Sequence, residues 1–147
     1  SKVSLWTDTI ITTEEVLIFP TGKSFEYTGP NDLKGRNIST IRGYGYAVSN
    51  NFMRTDSIEN TSQILKVALG KAEAGIIDRA ELAYALEHSK ELKDRDIKLE
   101  IGPVINRSEL KMRIHHTLPE LIAPINEAIS KMKRDGTIQR IIDSYTK

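Results

Sequence analysis

Residues 41–50 read IRGYGYAVSN, with Gly43 and Gly45 flanking Tyr44 and Tyr46 close behind. A glycine-rich turn that opens a helix offers free N–H groups and the positive end of the helix dipole, which suits a carboxylate or a phosphate. A plain turn needing positive φ at glycine accounts for the same residues and, on spacing alone, is the simpler reading. No Gly-Lys-Ser/Thr follows, which excludes a Walker loop, and Val48 stands where GxGxxG needs its third glycine. Tyr44 and Tyr46 fall in a turn expected to be exposed, where stacking on a ligand is one use for an aromatic ring. Asp78 is the second candidate. It closes the apolar run AGII and precedes the helical pattern RAELAYALEH. Open parallel sheets bind ligands at the carboxyl ends of their strands, so a carboxylate there can receive an ammonium group. It can equally be a helix N-cap, worth about 1 kcal/mol.

Other chemistries find less support. His115 and His116 are adjacent on an expected strand and should face opposite sides, so they should not share a metal. His88 looks like an exposed helix residue, and no metal site and no cofactor are expected. The absence of cysteine removes disulfides, thiolate nucleophiles and cysteine-based zinc sites. The hydrolase and metalloprotease signatures are missing as well. Twenty-one basic and twenty acidic residues leave a formal charge of +1, which argues against a nucleic-acid partner. The alternating charges of KELKDRD at 90–96 read as a solvated helix end.

The elements that must position these residues alternate between strand and helix. EVLIFP, ending at Pro20, reads as a buried strand, and RNISTIRG as a second strand closed by Gly43. Residues 46–54 read as a short helix starting on the GYGY turn. Asn60 with Gln63 has capping-box spacing for a helix carrying Ile64, Leu65, Ala68 and Leu69 on one face and stopped by Gly70. AGIID is a strand, and Asp78 with Glu81 repeats the capping-box spacing before one helix, RAELAYALEHSKEL. IKLEI and LKMRIHH are two further strands. Thr117 with Glu120 makes a third capping box, with Pro119 in the first turn and Pro124 a possible kink. Leu118, Leu121, Ile122, Ile125, Ile129 and Met132 share one helical face, and Ile138, Ile141, Ile142 and Tyr145 stripe a last helix. The fold class is α/β, a mixed and largely parallel sheet flanked by helices.

NDLKGRNISTIRGYGY, ILKVALGKAEAGIIDR and PELIAPINEAISKMKRDGTIQRIIDSY, in this order, resemble the extracellular solute-binding proteins of family 3, the polar amino-acid receptors of ABC transporters. The resemblance covers roughly residues 14–147. It implies the type II periplasmic-binding-protein architecture: two α/β lobes joined by two crossing strands, with ligand in the cleft. EEVLIF resembles the first crossing and LKMRIHH the second. Residues 1–22 would be a remnant of lobe one with the first hinge strand, residues 23–108 lobe two, and residues 109–147 the second hinge strand with the closing helices of lobe one. Most of lobe one, including the family's usual arginine for a ligand carboxylate, would be missing.

The same resemblance places a ligand-binding loop on Gly43, Tyr44, Gly45 and Tyr46, and the aspartate for an α-amino group on Asp78. Tyrosines stand where the family carries small hydroxyls, a departure that bears on an ordinary amino-acid ligand. It further implies a periplasmic location, lobe closure on a small polar solute, and an ABC-transporter permease as membrane partner. A ligand-sensing domain of a membrane signalling protein and a dehydratase-like enzyme on the same fold are the alternatives, although no general acid can be named. Six large apolar side chains between Leu118 and Met132 would cost on the order of 10 kcal/mol if left wet. A second copy of the chain covering that face, as a homodimer, is therefore expected.

Overall fold

The computed structural model describes residues 4–46 and 51–146. It divides into two compact units, Glu14–Arg107 and a smaller one made of Ser1–Thr13 with Ser108–Lys147. The larger unit is built on a five-stranded sheet of order β4-β3-β5-β2-β6. The strands are β2 (Ile11–Pro20), β3 (Asn37–Ile41), β4 (Met53–Ser57), β5 (Ala74–Asp78) and β6 (Leu99–Leu110). β3 runs parallel to both β4 and β5, and β2 joins β5 antiparallel, with Glu15 opposite Asp78.

Both faces of this sheet are covered, which explains the continuous apolar runs in β2 and β5. On one face Val16, Ile18 and Ile77 pack with Ile64, Val67, Leu82, Ala85 and Leu92. These last five come from α1 (Asn60–Ala68), α2 (Arg79–His88) and α3 (Lys90–Asp94). On the other face Leu17, Phe19, Ile38, Ala74 and Ile76 pack with Leu33, Tyr46 and Phe52. Alternate residues of one strand thus feed two cores. Gln63, fully buried, fastens α1 to the sheet. Its Nε2 donates to the carbonyls of Ile76 at 2.6 Å and Ser39 at 3.2 Å, while the Ser39 hydroxyl donates to the Gln63 carbonyl at 2.9 Å.

Several local expectations are corrected. Residues 47–50, part of the expected helix, lie outside the described residues, and the end of that stretch belongs to β4. The strand is polar because it lies at the sheet edge and pairs through side chains: Asp56 accepts from the Thr40 hydroxyl, and Thr55 bonds Asn37. The N-cap of α1 is Glu59, whose carboxylate accepts from the Thr61 and Ser62 N–H groups, because Gln63 is turned into the core and cannot close a box on Asn60. Gly70, at φ 74°, does follow the helix end as expected, although Leu69 is exposed. RAELAYALEHSKEL is two helices, interrupted at Ser89, whose hydroxyl caps α3 by accepting from Leu92 N–H. IKLEI leads into a longer strand than expected, β6, which runs on through Gly102 and Pro103 to Leu110, while Arg113–His115 of LKMRIHH form a strand of their own. Glycine is required at 102, since a Cβ there would meet the Phe19 ring at 2.5 Å.

In the smaller unit, β1 (Ser4–Trp6) pairs antiparallel with β7 (Arg113–His115). A 3-10 turn (Pro119–Leu121) leads into α4 (Ile122–Arg134), and α5 (Thr137–Thr146) follows. The Thr117–Glu120 capping box is not formed, because the Thr117 hydroxyl is taken by His115 Nδ1 at 2.7 Å and neither the 3-10 turn nor α4 has a side-chain cap. Pro124 falls in the first turn of α4, where a missing N–H costs nothing. Leu118 and Leu121 precede α4 and are exposed, Ile122, Ile125 and Met132 are half-buried, and Ile129 is buried. Ile129 is the one large aliphatic side chain buried in this unit among the described residues.

Gln63→Leu removes both donors to the buried carbonyls of Ser39 and Ile76 and should destabilise the chain by about 2 kcal/mol or more. Urea unfolding followed by circular dichroism measures the loss.

Candidate functional site

Parallel pairing determines where the candidate residues meet. β3 and β5 run side by side with Ile38 opposite Ala74 and Ser39 opposite Gly75. Their carboxyl ends therefore share one edge of the sheet, which carries both the turn after β3 and Asp78. Gly43, Tyr44, Gly45 and Tyr46 form that turn.

The four loop residues have different roles. Gly43 has φ 82°, so a plain-turn requirement applies there. Gly45 carries no such requirement, and none of the described residues lies within 4 Å of the Cβ position it leaves empty. Tyr44 is half exposed, as expected of a turn aromatic. Tyr46 is not: it is 6% exposed, its hydroxyl accepts from Ile41 N–H at 2.9 Å, and burial pushes its ionisation up. It is a core residue closing the loop onto the sheet, because the turn folds back over Leu33 and Ile38 instead of projecting outward.

Asp78 is the N-cap of α2, with Oδ1 accepting from Ala80 N–H at 2.9 Å and Glu81 N–H at 3.0 Å. Both of its bonds fall on one oxygen. Oδ2 has no hydrogen bond among the described residues, so capping leaves half of the carboxylate for a ligand. Two further carboxylates stand close by. Burial and the charge of Asp78 push the ionisation of Glu81 up, and Glu15 responds the same way to burial, with Asn106 opposing and Asp78 adding to the rise. Asn106 donates to Glu15 at 3.2 Å and Asn60 to Glu81 at 3.4 Å, both neutral partners. The edge is thus acidic, and a cation arriving there relieves repulsion among three carboxylates.

Sequence reasoning missed Glu15, because antiparallel β2–β5 register is what brings it to Asp78. It missed Arg54 because residues 46–54 read as a helix, while Arg54 lies in β4. Read as a strand, Arg54-x-Asp56 puts a cation and a carboxylate on one side of an edge strand. The guanidinium bonds Asp56 and reaches over to the carbonyls of Ile41 and Tyr44. His115 and His116 do not alternate across a strand as expected. β7 ends at His115, so strand alternation does not extend to His116, and the two rings lie 4.4 Å apart. No group of three or more potential metal ligands occurs among the described residues, nor any helix long and apolar enough to cross a membrane.

A cleft of about 250 Å³ lies at the opposite, amino-terminal edge of the parallel strands, beside Lys23, Phe25, Arg36 and Glu73. Its arginine is already used. Arg36 stacks 3.7 Å over Phe25, donates to the Asp32 carbonyl at 2.7 Å and pairs with Glu73. The candidate residues are all at the other edge.

No protein-family model matches the sequence, and no curated protein matches it. Solved structures do. The GluR0 ligand-binding core in complex with L-glutamate superposes with a TM-score of 0.70 at 16% identity, over 100% of this chain and 66% of its own. The amino acid ABC transporter substrate-binding protein AbpA from Streptococcus pneumoniae, bound to L-arginine, gives 0.63 at 17% identity over 99% and 62%. ArgBP from T. maritima, in a mutant form, gives 0.64 at 18% identity over 98% and 62%. The protein therefore has the type II periplasmic-binding-protein fold, as expected from the resemblance of its motifs. It spans a little under two thirds of the length of these ligand-binding proteins.

Gly43→Ala should cost about 1 kcal/mol through its positive φ, whereas Gly45→Ala should change stability by less than about 0.5 kcal/mol. Chemical denaturation of both variants checks the contrast. Glu81 binds its proton more tightly folded than unfolded, so its contribution to stability is present in acid and lost as pH rises through the folded-state value. Glu81→Gln should accordingly raise Tm by about 2 °C at about pH 7, a gain discounted for the side chain's partial exposure. The gain should vanish near about pH 3, which a calorimetric pH series tests.

Proposed function

We propose that the protein is a solute-binding protein of the family 3 kind, or part of one, that binds a small polar solute such as an amino acid by lobe closure. The observation that carries this reading is the shared sheet edge, with the loop of residues 43–46 on one strand end and the half-free carboxylate of Asp78 on the next. A loop N–H suits the solute's carboxylate and Asp78 its ammonium group. Residues 23–108 serve as lobe two, with residues 1–22 and 109–147 as hinge strands and pieces of lobe one. The unit Glu14–Arg107, with its own two-sided core, supports that assignment. Solute delivery to an ABC permease from the periplasm is the corresponding role, supported by the AbpA likeness. The GluR0 core favours a second reading, a ligand-sensing domain.

Among its described residues the smaller unit buries one large aliphatic side chain and leaves Trp6, Leu110, Met112, Leu118, Leu121 and Ile141 exposed. Such a surface calls for a cover, and a second copy of the chain is the partner proposed. Light scattering at micromolar concentration should give twice the chain mass of 16.5 kDa, and a clean monomer would contradict the pairing.

Titration calorimetry against the twenty common amino acids tests the solute reading. At least one should bind. Asp78→Asn keeps a competent helix cap but should weaken that binding by about thirtyfold or more through loss of the charge. Equal affinity in the variant would remove Asp78 from the site.

A further inference from the structure

We propose that Arg54 is the positioning residue that aims the Gly45 N–H of the loop at a ligand's carboxylate. The inference rests on reading residues 43–46 as a ligand loop. Arg54 Nη1 donates to the Tyr44 carbonyl at 2.8 Å, and Nη2 donates to the Ile41 carbonyl at 2.9 Å. The guanidinium is anchored in turn on Asp56 Oδ1, at 3.0 Å from Nη2 and 3.1 Å from Nε, and Asp56 is fixed by the Thr40 hydroxyl. No cis peptide occurs among the described residues. In a trans peptide the carbonyl of one residue and the N–H of the next point in opposite directions. With the Tyr44 carbonyl turned onto Arg54, the Gly45 N–H is directed away from the guanidinium.

Among the described residues that N–H has no acceptor, and none of them fills the space beside Gly45. Neighbouring donors are already used: Ile41 N–H donates to the Tyr46 hydroxyl, and Tyr44 N–H to the Ile41 carbonyl. The Tyr46 ring lies 5.2 Å from the guanidinium and holds it from a second side. Arg54 therefore acts on a ligand without touching it, through one peptide plane. The planar fork that reaches two carbonyls and a carboxylate together is a property of arginine that lysine lacks.

The test uses the full chain labelled with 15N, comparing wild type with Arg54→Lys and Arg54→Gln, and L-glutamate as the carboxylate probe. In both variants the Tyr44 amide should exchange about tenfold faster and the Gly45 amide resonance should move, while Ile38 and Ile76 amides keep their protection. Where the wild type binds L-glutamate, its affinity should fall about tenfold in both variants. Unchanged Tyr44 exchange with an unmoved Gly45 resonance overturns the proposal. So does a uniform loss of protection reaching Ile38 and Ile76, which would mark Arg54 as a support of the whole sheet, and so does unaltered L-glutamate affinity. A wild type that ignores L-glutamate counts against that solute, and the exchange comparison then decides the role of Arg54 by itself.

Discussion

Parallel pairing of β3 with β5 is the constraint on which the rest of the larger unit depends. Two parallel neighbours must end at the same edge, and the connection between them must cross a face of the sheet. Here the crossing chain supplies β4 at the sheet edge and α1 over one face. The second face is covered from the other side by Leu33, Tyr46 and Phe52, so both strands are buried on both faces. What emerges at the shared edge is short: a turn after β3 and a carboxylate after β5. Antiparallel β2 then brings Glu15 opposite Asp78 and makes the edge acidic.

Burying both faces leaves polar groups to be satisfied inside, and the fold does so with a few side chains. Gln63 reaches from α1 to carbonyls on two strands, and Arg54 reaches from β4 to the carbonyls of Ile41, at the end of β3, and Tyr44, in the loop. These side chains do for helix and loop what the ladder does for strands. The loop at the candidate site is consequently not free backbone. Among the described residues the Tyr44 carbonyl accepts from Arg54 and the Tyr44 N–H donates to the Ile41 carbonyl, so the loop offers less open backbone than its glycine content suggests.

The sequence made legible whatever rests on apolar pattern or on local backbone chemistry. β2 and β5 stood out because both faces are buried, and α1 because Ile64 and Gly70 mark its inner face and its end. Asp78 was readable as a cap, and the order of the motifs pointed to the fold. Elements held by polar or long-range contacts were hidden. β4 has no apolar alternation, since Thr55 and Asp56 pair with β3 through hydrogen bonds. β6 looked shorter than it is because Gly102 and Pro103 resemble a turn, although a Cβ at 102 would meet the Phe19 ring. Gln63 matched a capping box, yet its amide was needed deeper in the sheet. Tyr46 resembled an exposed turn aromatic until the loop was seen to fold back on the core. Glu15 and Arg54 reach the site only through strand register, which no local spacing encodes.

Chemical-shift mapping tests the central claim, that ligand meets the carboxyl edge of the parallel strands. Amide spectra of the full chain would be recorded with increasing L-glutamate or L-arginine. The account predicts that the amides of Gly45, Ala80 and Glu81 move together and saturate at one ligand concentration. Shifts confined to Lys23, Phe25, Arg36 and Glu73, around the cleft at the opposite edge, would contradict it.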